Sequence, residues 1–294
     1  MLPAEVMRQI RRLQVRAKRP VRTLLGGEYR SAFKGAGLSF EEVREYQPGD
    51  EVRQIDWNVT ARAGRPFVKR YAEERELTLL LVVDLSASQR FGTRGVTKRT
   101  AAAELAAVLA LTAVAHNDRV GLVGFTDRVE RFVPPAKGPR HALRVLRDVL
   151  FYDPEYPGTD PGAALDHLTR VHRRRAIVFL FSDFLTAGFE ARFKKAAQAH
   201  DLIAVRTADP LEADWPAAGL VTLEDAETGR QALIDTSDPR FRAGFASRAA
   251  ARRAGFTKLC RAARVDLIDV TTEGGHFDAL MRFFRLRDRR RRGT

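Results

Sequence analysis

Residues 77–88 read Leu77-Thr78-Leu79-Leu80-Leu81-Val82-Val83-Asp84-Leu85-Ser86-Ala87-Ser88. The first part of this stretch is almost wholly aliphatic and shows no polar alternation. That is the pattern of a strand covered on both faces, as in a parallel sheet flanked by helices. The chain then keeps a regular rhythm. A loop over 84–97 leads to a helix with Ala101, Leu105, Val108, Thr112 and Ala115 on one face. Residues 119–125 and 129–133 read as the second and third strands. Ala142, Val145, Leu146, Val149 and Leu150 mark another helix, and Pro161 opens the next in a first-turn position that favours proline. Strands over 176–181, 202–206 and 265–270 follow, separated by helices around Phe189–Ala197 and Pro239–Ala263. A last helix carries Phe277, Leu280, Met281 and Phe284. This alternation predicts an α/β fold: a Rossmann-like, mostly parallel six-stranded sheet with helices on both faces. A hairpin insertion is expected near 219–235, around Glu227-Thr228-Gly229.

Open α/β sheets bind ligands beyond the carboxyl ends of their strands. The strand that starts at 77 ends in Asp84-Leu85-Ser86-Ala87-Ser88, and the strand that starts at 176 ends in Ser182-Asp183. The loop before Pro161 holds Gly158-Thr159-Asp160. Asp84, Ser86, Ser88, Thr159 and Asp183 therefore point to one rim, offering two carboxylates and three hydroxyls. Such oxygen donors suit a hard divalent cation, Mg²⁺ first, with Mn²⁺ or Ca²⁺ as alternatives. Few anionic ligands leave the cation electrophilic, so an Asp or Glu of a partner protein would complete its shell. The competing reading makes Ser86 and Ser88 loop caps and Asp183 a helix cap.

Composition narrows the classes. The single cysteine, Cys260, excludes an intramolecular disulfide and a thiolate metal site, and it is expected in the core. Of the net charge of +14, residues 1–34 carry +7 and residues 282–294 carry +6, so the basicity lies in the two ends. Val6, Ile10 and Leu13 place an amphipathic helix in the first basic segment. Nucleic acid or an anionic membrane surface is an alternative partner for these ends. No signal-peptide core is visible, and no apolar stretch approaches the ~20 residues that a membrane span needs. A soluble, cytoplasmic protein is expected. Gly26, Gly27, Gly35 and Gly37 break regular structure, but Gly35-Ala36-Gly37 lacks a following Lys-Ser/Thr and is not a phosphate-binding loop. His167 and His172, five apart, do not suit a helical zinc pair and read as surface residues. A phosphatase-like, metal-dependent hydrolase would use Asp84 as nucleophile and Asp183 as metal ligand. It would want a second aspartate where Ser86 stands, so a non-enzymatic role is expected. The domain reading is an accessory segment over 1–76, the sheet domain over 77–281 and a basic tail over 282–294.

Within 38–76, Val43–Tyr46 and Pro66–Tyr71 suggest short strands. Arg44, Arg53 and Arg62 are suited to pair with Asp50 or Asp56, and Trp57 is expected to anchor the segment on the sheet domain. Tyr46-x-Pro48-Gly49-Asp50, then Arg53-x-Ile55-Asp56-Trp57 and Ala61-Arg62 resemble the signature of the bacterial "domain of unknown function 58" family. The likeness continues through Arg206-x-x-Asp209-Pro210 and Asp225-x-Glu227-Thr228-Gly229. In that family the segment immediately precedes a von Willebrand factor A-like domain, and this chain resembles the short branch without N-terminal membrane helices. Asp84-x-Ser86-x-Ser88, Thr159 and Asp183 are similar to the metal-ion-dependent adhesion site of that domain. There the hydroxyls contact the metal directly or nearly so, and the aspartates act directly or through water. Relatives are commonly encoded beside MoxR-type AAA+ ATPases. The resemblance thus implies a protein-binding partner or adaptor of such an ATPase, in assembly or chaperone-like work.

Overall fold

The computed structural model describes residues 4–24, 29–33, 42–48, 50, 52, 55–70 and 76–292. The basic N-terminal segment is a helix, α1 (Ala4–Thr23). Its stripe of Leu13 and Ala17 is buried, while Arg11, Arg12, Lys18 and Arg19 face solvent. The short α2 (Tyr29–Phe33) follows. The breaks expected at Gly26, Gly27, Gly35 and Gly37 lie outside the described residues.

Next, β1 (Glu42–Glu45) and β2 (Phe67–Arg70) pair antiparallel, with α3 (Trp57–Ala63) between them in sequence. Asp56 is buried and accepts from Val59 N at 3.3 Å, which caps α3. Arg44 Nη2 meets Asp50 Oδ1 at 2.5 Å. Arg53 and Tyr71 fall outside the described residues. Trp57 is 66% exposed in the first turn of α3.

The main body begins with β3 (Thr78–Asp84), α4 (Lys98–Ala115), β4 (Arg119–Phe125), β5 (Val129–Ala136) and α5 (Pro139–Phe151). It continues with α6 (Pro161–Val171), β6 (Ile177–Ser182), α7 (Glu190–Ala199) and β7 (Asp201–Ala208). An antiparallel hairpin of β8 (Leu220–Glu224) and β9 (Gln231–Asp235) precedes α8 (Pro239–Ala262), β10 (Asp266–Thr271) and α9 (His276–Arg292). The sheet order is β10-β7-β6-β3-β4-β5, parallel throughout except for β5 on the edge. This is the mostly parallel, Rossmann-like arrangement that the alternation of strands and helices predicts, and the von Willebrand factor A-like one that the family resemblance implies.

β3 lies at the centre of the sheet and is buried from Leu79 to Asp84. On one face α4 runs under the sheet, contacting β3, β4, β7 and β10. It is buried almost all round, and its many alanines let neighbouring elements approach closely. On the other face Leu165, Leu168, Phe189, Phe193, Phe256 and Cys260 join the inner residues of β3, β4 and β6 in one core. β5 runs past the expected end at Val133 through Pro134 and Pro135, which an edge strand tolerates because its outer N–H groups need no partner.

Two compact units result, one of residues 1–32 with 77–294, the other of residues 33–76. The first helix thus groups with residues 77–294 and not with residues 33–76. The apolar stripe of α1 docks on α4, and Arg16 pairs with the buried Glu104, which also meets His276. The expected boundary at 281/282 falls inside α9. That helix continues because Phe283 and Phe284 are buried, and because Arg287 pairs with Asp201 and Asp266. No helix among the described residues is long and apolar enough to cross a membrane.

Two expectations follow from this packing. Phe256 stacks on Phe184 with ring centroids 4.1 Å apart and touches Phe189 and Phe193. Phe256→Ala should cost about 3–5 kcal/mol of unfolding free energy in a urea titration. A loss under about 1 kcal/mol would show that this aromatic cluster is not a keystone. His200 is buried beside His172, and neither of its ring nitrogens has a hydrogen-bond partner among the described residues. Burial, then His172 and Arg175, lower its pKa. The unfolded chain therefore binds this proton more readily than the folded one. The associated stability is complete above the unfolded histidine pKa of about 6.5 and is lost as pH falls below it. Urea midpoints should drop between about pH 7.5 and pH 5.5, and His200→Phe should flatten that drop. Parallel profiles for the two proteins would refute the assignment.

Candidate functional site

The site grows from the carboxyl edge of the sheet. Asp84 is the last residue of β3, and its two oxygens are both engaged: Ser86 N donates to Oδ1 at 3.0 Å and Ser182 Oγ to Oδ2 at 2.7 Å. The loop after β3 turns through a short 3-10 helix at Ala87–Arg90, which brings Ser86 Oγ and Ser88 Oγ within 3.1 Å of each other. Ser88 Oγ in turn donates to Asp183 Oδ2 at 2.9 Å. Asp183 follows the last residue of β6. Its Oδ1 accepts from Leu185 N at 3.2 Å, and Phe184 adopts a left-handed φ of 55° as the chain reverses. Four of the five expected residues thus form one hydrogen-bonded string.

Thr159 stands differently. Its hydroxyl donates to Glu227 Oε1 at 2.6 Å, and no hydrogen bond among the described residues joins it to the string. The loop that carries it is nevertheless tied to this rim, through Ala87 N to Pro157 O at 3.0 Å and Asp160 N to Thr126 O at 2.8 Å.

Lys98 is the residue that sequence reasoning missed. It is fully buried, and its Nζ lies 2.8 Å from Asp183 Oδ2 and 2.5 Å from Glu212 Oε1. Burial opposes its charge, but Asp183 and Glu212 outweigh that effect and hold its pKa above the usual lysine value. A signal was available: a lysine in the first turn of a helix opposes the helix dipole, so it needs another reason to be there. Gln89 was also unforeseen. It donates to Asp183 Oδ2 at 3.1 Å and accepts from Thr207 Oγ1 at 3.0 Å, which links β6 to β7. Glu212 belongs to a capping box with Asp209, a pattern that Asp209-Pro210-Leu211-Glu212 displays openly.

Electrostatically, two carboxylates, Asp183 and Glu212, meet one ammonium, and a third, Asp84, feels the charge of Asp183. Burial, and then the neighbouring charge of Asp183, push the Asp84 carboxyl up to about 7. Burial, helped by Asp183, also raises the Glu227 carboxyl against the hydrogen bond from Thr159. Excess negative charge beside clustered hydroxyls is a donor set that suits a hard cation. Asp183 Oδ2 already accepts three hydrogen bonds, so it would reach a cation through water or after releasing a donor. No group of three or more His, Cys, Asp or Glu side chains among the described residues is placed to hold a metal by itself. The hydroxyls of Ser86, Ser88 and Thr159 would therefore be essential ligands.

Comparison with known proteins adds the following. An uncharacterized protein of Mycobacterium tuberculosis (strain H37Rv) is 33% identical over 285 residues, covering 95% of this chain and 89% of that one. An uncharacterized protein of Mycobacterium avium is 31% identical over 159 residues, 53% of this chain and 94% of its own. Among solved structures, the conserved hypothetical protein BatB from Bacteroides thetaiotaomicron overlays 72% of this chain and 99% of its own, at 16% identity and a TM-score of 0.44. An aerotolerance-related membrane protein from Bacteroides fragilis overlays 71% and 98%, at 16% identity and a TM-score of 0.46. The family described as "Protein of unknown function DUF58" matches residues 42–255. With that match over most of its length and a relative 33% identical across 95% of it, this chain is a member of the DUF58 family.

Proposed function

We propose that the protein is a binding module that captures an acidic side chain of a partner protein through a divalent cation, Mg²⁺ by preference. Asp84, Ser86, Ser88, Thr159 and Asp183 would hold the cation. The observation that carries this reading is the string Asp84–Ser86–Ser88–Asp183, which gathers hydroxyls and carboxylates from two strand ends onto one rim. When bound, the cation would supply Lewis acidity toward an incoming carboxylate. The chain's own residues orient the site: Ser182 fixes Asp84, and Lys98 with Gln89 fixes Asp183. A MoxR-type AAA+ ATPase is the partner that the family resemblance supports, with the chain acting as its adaptor in assembly or chaperone-like work.

Hydrolysis fits less well. A nucleophilic carboxylate needs a free, ionised, accessible oxygen. Asp84 is 2% exposed and both its oxygens accept hydrogen bonds, so neither is open to attack a substrate.

Affinity capture of a purified MoxR-type ATPase tests the proposal. Capture should require Mg²⁺, be lost on chelation, and fall at least about tenfold in Ser88→Ala, since a loss of 1.4 kcal/mol is already that factor. Equal capture with Mg²⁺ and with chelator would end the cation mechanism. No capture under either condition would remove this ATPase as the partner.

A further inference from the structure

We infer that Glu227, at the tip of the β8–β9 hairpin, is a built-in carboxylate ligand of the candidate cation site, which an incoming partner carboxylate must displace. The inference rests on reading Asp84, Ser86, Ser88, Thr159 and Asp183 as a cation site, and it adds a competitor carried by the chain itself.

The first support is position. Glu227 Oε1 accepts from Thr159 Oγ1 at 2.6 Å, across 68 residues of sequence. Thr159 is the one expected ligand that stands outside the hydrogen-bonded string, and what it touches instead is a carboxylate. A threonine hydroxyl has one proton and two lone pairs. It can donate to Glu227 and still offer a lone pair to a cation.

The second support is the construction of the tip. Asp225 Oδ1 accepts from Glu227 N at 3.0 Å and from Thr228 N at 2.8 Å, and Asp225 O accepts from Gly229 N at 2.8 Å. Gly229 takes a φ of +68°, which closes the turn without a Cβ penalty. Below it, β8 and β9 pair from Glu224–Gln231 down to Leu220–Asp235. Glu227 is thus presented by an ordered turn rather than by a flexible loop. Among residues 224–230 it is the one that is half-buried while the others are exposed. A glutamate on a hairpin tip would ordinarily extend into water. Sheltering its carboxylate against Thr159 costs desolvation, which one hydroxyl donor repays only in part. A cation beside Glu227 would offset the remainder.

The consequence is regulation by competition. A ligand carried by the same chain binds intramolecularly, so a weak or isolated acid would not displace it. A partner would need further contacts to win, which makes the hairpin a selectivity device.

Mn²⁺ binding to the full-length protein, followed by its affinity and by water-proton relaxation of the bound ion, tests this. Glu227→Ala should weaken Mn²⁺ at least about tenfold and raise the number of exchangeable waters on the ion. Sodium acetate should then remove water from the ion in the variant but not in the wild type. Glu227→Gln, which keeps an acceptor for Thr159, should behave like Glu227→Ala, separating the charge from the hydrogen bond. Ser88→Ala is the reference for loss of the site. Unchanged affinity and hydration in both Glu227 variants, with binding lost in Ser88→Ala, would overturn the role of Glu227 and leave the cation site standing. Absence of Mn²⁺ binding by the wild type would overturn both.

Discussion

The carboxyl edge of the sheet depends on one buried ammonium. Lys98 enters from the start of α4, Asp183 from the end of β6 and Glu212 from the turn after β7, so a single cation ties three elements together. Taking such charges out of water costs several kcal/mol per ion, and only close, well-directed contacts repay it. Removing one member of a buried pair of this kind typically costs about 3–5 kcal/mol. The strand end that carries Asp183 is therefore held by the protein's own charges, and the one that carries Asp84 by hydrogen bonds from Ser86 and Ser182, before any ligand arrives. That arrangement suits a surface that must be preformed for recognition.

Packing supplies the rest of the positioning. After Asp183 the backbone reverses through Phe184 in a left-handed conformation, which costs about 1–2 kcal/mol for a residue with a Cβ. The Phe184 ring is held between Phe189 and Phe256, and such aromatic pairs contribute about 0.5–1.5 kcal/mol each beyond their buried area. The aromatic core under the sheet thus offsets the local strain and fixes where Asp183 points. On the opposite face, α4 brings Lys98 to the rim and Glu104 to the junction with α1 and α9. One alanine-rich helix joins the site to the N-terminal helix.

The charge distribution changes meaning once the fold is known. The basic C-terminal segment looks in sequence like a tail. In the structure Arg287 is mostly buried against Asp201 and Asp266, and Arg290 also reaches Asp266. Part of that positive charge neutralises strand starts at the amino edge of the sheet. The N-terminal helix keeps more of its arginines in solvent, because its narrow apolar stripe is spent on α4.

The sequence by itself determined the order and type of the elements, because hydrophobic periodicity is a local property and every buried strand here announces itself over a few residues. It also determined which residues end those strands, and hence the candidates Asp84, Ser86, Ser88 and Asp183. Only the tertiary structure decided which charges meet. Lys98 finds Asp183 across 85 residues and Glu227 finds Thr159 across 68. Such pairs leave no local periodic trace, since Coulomb and hydrogen-bond contacts depend on distance in space and not on spacing along the chain.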